Sequence, residues 1–501
     1  MTGLQPAFRI RFALSLLCLL FAFPAQAQIK VASKLFTESV ILGEIARSAI
    51  ASRTDETVIH ARELGGTRVV FNAIEAGEID VYADYTGTLR FETLAGEDVA
   101  TDAGLRAALA ARGLKMTASL GFSNNYAIAL MPDLAAELGV ETISDLRDHP
   151  NLVFGVASEF LDRADGWQAL KAAYDLPQTD ARGMIHDLAY RALASGQTDA
   201  IDAYTTDPQI AQYDLKLLRD DRGHFPTYDA VFIYRADLPA AAQAALEALA
   251  GSLDEAAMQQ LNMRAQLGGE AEAVLAAEIV SEVLGETVEA AAQKSRTARI
   301  WQRTKEHLVL VGIALSAALV TAIPLGIAAA RLPRFGSIIL GGVGILQTIP
   351  SLALFVVLIP FMGIGAVPTV FALFLYSLLP IVRNTHAGLS GIAPGLLDSA
   401  DALGLSRGAR LRRVELPLAA PTIMAGVKTA AVIAVGLATL GAIIGAGGYG
   451  QPILTGIRLA STPLILEGAI PAAILALIMQ WLFDLAERWI TPRGLRLRQA
   501  A

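Results

Sequence analysis
Cysteine is almost missing from this chain: 501 residues contain one, Cys18. It lies in a stretch that reads as a secretory leader, so the exported chain would have none. That excludes disulfides, cysteine-ligated metals and thiol catalysis. No Gly-x-x-x-x-Gly-Lys-Ser/Thr phosphate loop occurs, so the chain lacks this means of holding ATP. The six histidines (60, 149, 186, 224, 307 and 386) are scattered and suggest no metal cluster. No Ser-His-Asp set or pair of carboxylates stands out, so the chain does not read as an enzyme. Charge is also sparse. Only 18% of residues are charged and 54% are hydrophobic, too apolar for an ordinary soluble protein.

The charge that is present is unevenly divided. From residue 301 onward there are 15 Lys/Arg against 7 Asp/Glu, whereas the first 300 residues hold 25 against 41. An acidic half joined to a basic, apolar half suggests a membrane boundary. Nucleic acid is not the expected partner, because the basic residues lie between apolar spans. Arg9 and Arg11, the apolar run Phe12–Phe23 and Ala25-Gln26-Ala27 before Gln28 define an expected signal peptide over 1–27. Residues 28–290 read as an exported domain, 291–306 as a linker, 307–490 as a transmembrane domain and 491–501 as a cytoplasmic tail. Leu308–Ala330 is 23 residues without charge. That is long enough to cross a hydrocarbon core of about 30 Å. Ser337–Ile359, Val367–Val382, Thr422–Ile444 and Leu464–Leu482 follow, giving five expected spans with an error of one. Breaks are expected near Pro350, Pro360 and Pro368.

If the acidic half is exported, Arg331, Arg334, Arg383, Arg407, Arg410, Arg412, Arg413 and the arginines from 488 to 498 fall inside. The outer loops then hold only Arg458. This satisfies the positive-inside rule and predicts a multi-pass protein of the inner membrane with its N-terminal domain on the extracytoplasmic side. Arg296, Arg299, Arg303 and Lys305 depart from the rule and read as a linker or an interfacial helix.

One polar loop between apolar spans carries a specific pattern. Asp398, Ser399 and Ala400 are followed by three residues, Gly404, nine more, and Val414-Glu415-Leu416-Pro417. This resembles the cytoplasmic coupling loop of ABC-importer permeases: Glu-Ala-Ala, three residues, Gly, nine residues, Ile-x-Leu-Pro. Asp398 and Ser399 depart from the pattern. The resemblance covers about 305–485. It implies two short helices, Leu396–Leu403 and Arg407–Val414, bent at Gly404, which two copies of a separate ATPase subunit would push. It also implies a homodimer through the permease domain, since each chain carries one permease. ATP would be used by the partner, and no cofactor is expected on this chain.

The exported half reads as α/β. Strand-like runs at Ile29–Ala32, Ile79–Tyr82, Leu152–Val156 and Ala230–Tyr234 alternate with amphipathic stretches. Gly77-Glu78-Ile79-Asp80 and the run from Gly196 to Asp202 look like one device used twice, as in two similar lobes. Six segments then stand in order: Ala32 to Glu38, Leu64-Gly65-Gly66-Thr67, Tyr82 to Thr88, Asn124-Asn125-Tyr126, Asp202 to Asp207, and Phe225-Pro226-Thr227-Tyr228. In combination they resemble the substrate-binding proteins of osmoprotectant ABC importers, the glycine betaine/choline/carnitine class, over most of 29–285. The resemblance implies a two-lobed periplasmic-binding-protein fold of type II, with crossovers near 128 and 225, followed by an all-α transmembrane permease domain.

A quaternary ammonium has no N–H to donate, and its charge is spread over methyl groups. Aromatic faces suit it, each worth about 0.5–2 kcal/mol. Besides Tyr82, four of the 11 tyrosines fall in these segments: Tyr85, Tyr126, Tyr204 and Tyr228. By the resemblance they form the cage. Arg163 matches the carboxylate-binding arginine of the family. Lys34, just before an expected helix start, and Thr88 are further donor candidates. Tyr82 reads as strand core, and Asp84 and Asp207 as turn or interlobe contacts. The expected ligand is therefore a quaternary ammonium osmoprotectant, foremost glycine betaine or a related betaine. Choline, carnitine or another small polar solute stay open, as does a membrane-anchored sensor without transport.

Overall fold
The computed structural model describes residues 28–292, 295–459 and 461–490. The expected signal peptide and cytoplasmic tail lie outside them.

Lobe one is a five-stranded sheet built from β1 (Gln28–Ala32), β2 (Thr57–Ala61), β3 (Val81–Tyr85), β4 (Leu114–Met116) and a late strand, Ala230–Arg235. Lobe two contains β5 (Tyr126–Leu130), β6 (Phe154–Ala157), β7 (Ala181–Met184), β8 (Ala200–Tyr204) and β9 (Lys216–Leu218). The late strand Ala230–Arg235 is β10. The strand orders are β2-β1-β3-β10-β4 and β7-β6-β8-β5-β9, the same arrangement twice. In each sheet the fourth strand is antiparallel and has just crossed from the other lobe. The crossing segments span 117–125 and 219–229 and bridge each other at Ser123 and Asp229. The first lies before the expected position near 128, because Ile128 sits inside β5 opposite Asp202.

The repeated device is real and its chemistry is visible. After the helix Thr67–Glu75 the chain turns at Gly77, with φ 73°, and after the helix His186–Ala194 at Gly196, with φ 69°. The positive φ suits glycine at both turns. Asp80 and Asp199 then each accept a backbone N–H at 2.8 Å, from Lys30 in β1 and from Val153 just before β6. Strands β3 and β5 are buried on both faces, as expected of central strands covered by helices. The helices Ala240–Glu247, Glu255–Gln266 and Glu272–Leu284 pack on the helix Thr37–Arg53 of lobe one.

The expected linker 291–306 is corrected. Ser295 caps a 36-residue helix, Arg296–Arg331, by accepting the N–H of Ala298. The four basic residues ahead of the first span therefore ride on a continuous helix. Arg296 and Arg299 meet Glu467 at 3.3 and 3.1 Å. The helices Ala366–Ser390, Arg407–Ala438 and Thr462–Ile490 are also long and apolar enough to cross a membrane. A further pair, Arg334–Thr348 and Ser351–Met362, is bent by 95°. The break falls at Ile349-Pro350, where a residue before proline is pushed to extended backbone. Among the described residues, length and composition give four candidate spans, or five with the bent pair.

Close packing in this half uses glycine. A Cβ on Gly326 would lie 2.5 Å from the Cβ of Thr385, and one on Gly426 would lie 2.6 Å from the Cβ of Asn384. Small residues here let helix backbones approach. Gly341, Gly342 and Gly344, by contrast, face open space among the described residues.

Candidate functional site
The cleft between the lobes is lined by Lys34, Phe36, Tyr85, Thr88, Asn124, Tyr126, Glu159, Arg163, Tyr204 and Tyr228, around an empty volume of about 330 Å³ counting its mouth. All seven ligand-site residues expected from the sequence meet there.

Strand register explains much of this. The antiparallel pairing of β5 with β8 sets Tyr126 opposite Tyr204, and that of β10 with β3 sets Ala230 opposite Tyr85. Tyr126 packs edge-on to Tyr204 at 5.1 Å and to Tyr228 at 5.4 Å between centroids. Phe36, not foreseen as a site residue, lies 5.7 Å from Tyr204 and 6.3 Å from Tyr85. Tyr228 reaches the cleft because residue 87 is glycine: a Cβ there would meet its ring carbon at 2.5 Å. Burial raises the pKa of all four phenols, so they stay neutral and present ring faces rather than charge.

The cationic candidates are already partnered in part. Lys34 Nζ donates to Asp84 Oδ1 at 2.7 Å and to Thr67 Oγ1 at 3.1 Å. An ammonium has three donors, so one remains. Arg163 spends Nε and Nη2 on Asp165 at 2.7 and 2.6 Å, while its guanidinium lies 5.5 Å from the Tyr126 ring centre. Its Nη1 has no hydrogen-bond partner among the described residues. The buried hydroxyl of Thr88 completes the expected donors.

Two carboxylates were missed as site residues, although Glu38 stands in one of the six segments and Glu159 four residues before Arg163. Glu159 of lobe two lines the cleft and accepts the N–H of Thr67 in lobe one at 3.0 Å. Burial works against its charge, but Lys34, Thr67 and Arg163 outweigh this and lower its pKa. Glu38 lies beneath Tyr85 and accepts from Tyr85 Oη at 2.6 Å, Asn124 Nδ2 at 2.9 Å, Thr206 Oγ1 at 2.5 Å and Asn262 Nδ2 at 2.8 Å. No sequence signal distinguishes either from an ordinary helical glutamate, because their partners lie far along the chain. Tyr82 is strand core, and Asp84 is the lobe-one partner of Lys34. Asp207 is a lobe-two hub, accepting from Tyr190 and from the backbone of Tyr204.

Behind the cage, His186 stacks on Tyr204 with ring centres 4.0 Å apart and planes 17° apart. Its Nε2 lies 2.7 Å from Asp207, and Nδ1 lies 3.9 Å from Asp202.

The polar loop of the membrane half differs from expectation in one respect. The first short helix exists, as Pro394–Ala402, carrying exposed Asp398 and Ser399 and buried Ala400. Gly404 turns the chain with φ 72°. The second is not separate: Arg407 begins a helix that runs through Leu416 and Pro417 to Ala438. Pro417 fits because it falls next to a π-helical turn, Leu411–Glu415, where the regular hydrogen-bond ladder is already broken. Glu415 clamps the loop, accepting from Arg410 at 2.8 Å and from Arg331 of the first long helix at 2.7 Å. Leu396 and Leu403 are exposed beside Arg407, Arg412 and Arg413, an apolar and basic surface.

A two-lobed α/β solute-binding domain with an aromatic cleft, continuous with a helical membrane domain, defines a binding protein fused to its permease. Residues 27–282 match the family described as the substrate binding domain of ABC-type glycine betaine transport system. Residues 322–495 match the binding-protein-dependent transport system inner membrane component. The chain belongs to the glycine betaine-type substrate-binding family, joined to a permease domain of that second family. Over 194 residues it is 42% identical to the glycine betaine/carnitine/choline transport system permease protein OpuCB of Bacillus subtilis, covering 39% of this chain and 89% of that protein. Over 198 residues it is 41% identical to the osmoprotectant import permease protein OsmW of Salmonella typhimurium, covering 38% and 92%. A solved glycine betaine/carnitine/choline ABC transporter structure is 26% identical, with a TM-score of 0.42, covering 51% of this chain and 98% of its own.

The His186 cluster generates a pH prediction. Burial disfavours the charged ring, but Asp207, Asp202 and Asp187 outweigh it and raise its pKa from 6.5 to about 9. The stabilisation is complete below pH 6.5 and is lost as pH rises through about 9. Thermal melts of the full chain at pH 6 and pH 9.5 should show the binding-domain transition weakened at the higher pH by up to about 3 kcal/mol. His186→Gln should flatten that dependence; an unchanged slope would place its origin elsewhere.

Proposed function
We propose that this chain is the binding and permease component of an ATP-driven importer of quaternary ammonium osmoprotectants, foremost glycine betaine or a related betaine. The observation that carries the reading is the cleft in which Tyr85, Tyr126, Tyr204 and Tyr228 converge beside Lys34 and Arg163. The trimethylammonium sits among neutral ring faces, where a desolvated cation–π contact is worth about 0.5–2 kcal/mol per ring. The carboxylate takes Nη1 of Arg163, the remaining donor of Lys34 and the Thr88 hydroxyl. Choline would leave these donors unused, so they favour a betaine. Glu159 holds the closed cleft by accepting from Thr67 across the lobes.

On this reading the binding domain is extracytoplasmic in the inner membrane, and two chains pair through their permease domains. Two ATPase subunits dock on the surface from Pro394 to Pro417. Exposed Leu396 and Leu403 fit an apolar cleft on that partner, and Glu415 transmits its push to Arg331 and the first long helix.

Calorimetric titration of the full chain in detergent with glycine betaine, proline betaine, carnitine and choline tests the ligand. Betaines should bind, choline more weakly, and each Tyr→Ala change at 85, 126, 204 or 228 should weaken binding about 2–30-fold. Intact binding in all four variants would refute the cage. Gly87→Ala should weaken binding likewise by displacing Tyr228; unchanged affinity would show that the ring is not needed there. Gly404→Val forces a β-branched residue to a φ of 72° in open space. It should abolish uptake into vesicles containing the ATPase while leaving titration unchanged, and normal uptake would remove the loop from the coupling surface.

A further inference from the structure
Arg458 is the one basic residue that the sequence places in the outer loops between spans, and the function proposed above makes no use of it. It ends the helix Gly450–Arg458 and is buried, with 3% of its side chain exposed. Among the described residues its side-chain hydrogen-bond partners all belong to the binding domain. Nε meets Glu63 Oε1 at 2.6 Å, Nη2 meets Glu272 Oε1 at 2.7 Å, and Nη1 donates to Thr37 Oγ1 at 3.3 Å. The other oxygen of Glu63 accepts from Gln451 and Thr455 of the same permease helix, both at 2.8 Å. Arg62 takes the other oxygen of Glu272 at 2.6 Å. Removing either member of such a buried pair strands the other charge, so the contact holds as a unit.

Glu63 is also unusual in its backbone. Its φ is 60°, a left-handed conformation that is unfavourable for a non-glycine residue. It begins the loop that carries Thr67. At that far end the Thr67 N–H is held by Glu159 of lobe two, and its hydroxyl by Lys34 in the ligand cleft. Between them Leu64 is pinned to the Ser33 carbonyl at 2.9 Å. One short loop is therefore gripped by the permease at residue 63 and by the closed second lobe at residue 67. Thr37 adds a second route, since it neighbours Glu38, which accepts donors from both lobes.

We propose that Arg458 is the residue through which the permease senses cleft closure, the loop 63–67 transmitting between them. Docking and closure then stabilise each other, and the linkage is reciprocal: what Arg458 adds to ligand affinity, ligand adds to docking. The proposal rests on the cleft being the ligand site.

The test uses the full chain in nanodiscs with a Cys18→Ser background. Spin labels on Ala100→Cys and Gln168→Cys, exposed positions on the two lobes, report the interlobe distance without any ligand. Arg458→Ala should shift the distribution toward open lobes and weaken glycine betaine binding about tenfold, although Arg458 touches no cleft residue. Glu63→Gln, which keeps shape, should do the same, and the double variant should lose no more than either single one. An unchanged distance distribution in both single variants overturns the relay. Fully additive losses overturn it too, by showing two independent defects. If the wild-type chain binds none of the four quaternary ammonium probes, the proposed substrate class fails, while the distance measurement still decides the relay.

Discussion

The binding domain is organised around one buried carboxylate, that of Glu38. Burial alone would drive it to the neutral form, and its pKa is raised for that reason. Four donors partly offset the cost, and each comes from a different part of the fold: Tyr85 from lobe one, Asn124 from the first crossing, Thr206 from lobe two, and Asn262 from a helix behind the cleft. A buried acceptor left unpaired is expensive, so these four groups must arrive together. That requirement fixes Tyr85 by its hydroxyl and leaves its ring for the cleft. The cage thus depends on a group that does not line it.

Buried charge recurs as the means of joining elements. Lys34 with Asp84, Arg163 with Asp165, and His186 with Asp207 each fix a cationic group near the aromatic cleft. On the proposed function, fixed cations around the cleft would repel a cationic ligand if they were bare. Each is instead matched by a carboxylate, leaving the rings to present a nearly neutral, polarisable wall. Arg458 with Glu63 and Glu272 applies the same solution between the binding domain and the permease.

Much of the organisation was legible along the chain. The halves differ in charge and apolar run length, and both are local properties. The repeated Gly-to-Asp device announced two lobes because a glycine turn followed by an aspartate is complete within a few residues. The four tyrosines were singled out by resemblance, and strand register helps bring them to one cleft. The linker was misjudged because its arginines look like a charged tether when their partner, Glu467, lies far downstream. The second coupling helix was misjudged because Pro417 suggests a boundary, whereas the π-helical turn before it absorbs the missing hydrogen bond.

The sequence by itself determined the chemistry available: an acidic α/β half, a membrane half, a single cysteine, no nucleotide loop, and aromatic residues suited to a methylated cation. Side-chain type and local periodicity suffice for these, since hydrophobic burial and turn geometry act over a few residues. Only the tertiary structure decided which charges are spent on one another. Glu63 and Arg458 lie 395 positions apart, and their pairing depends on how two domains dock. The sequence carries their charges but not their distances, and a short-range interaction is decided by distance.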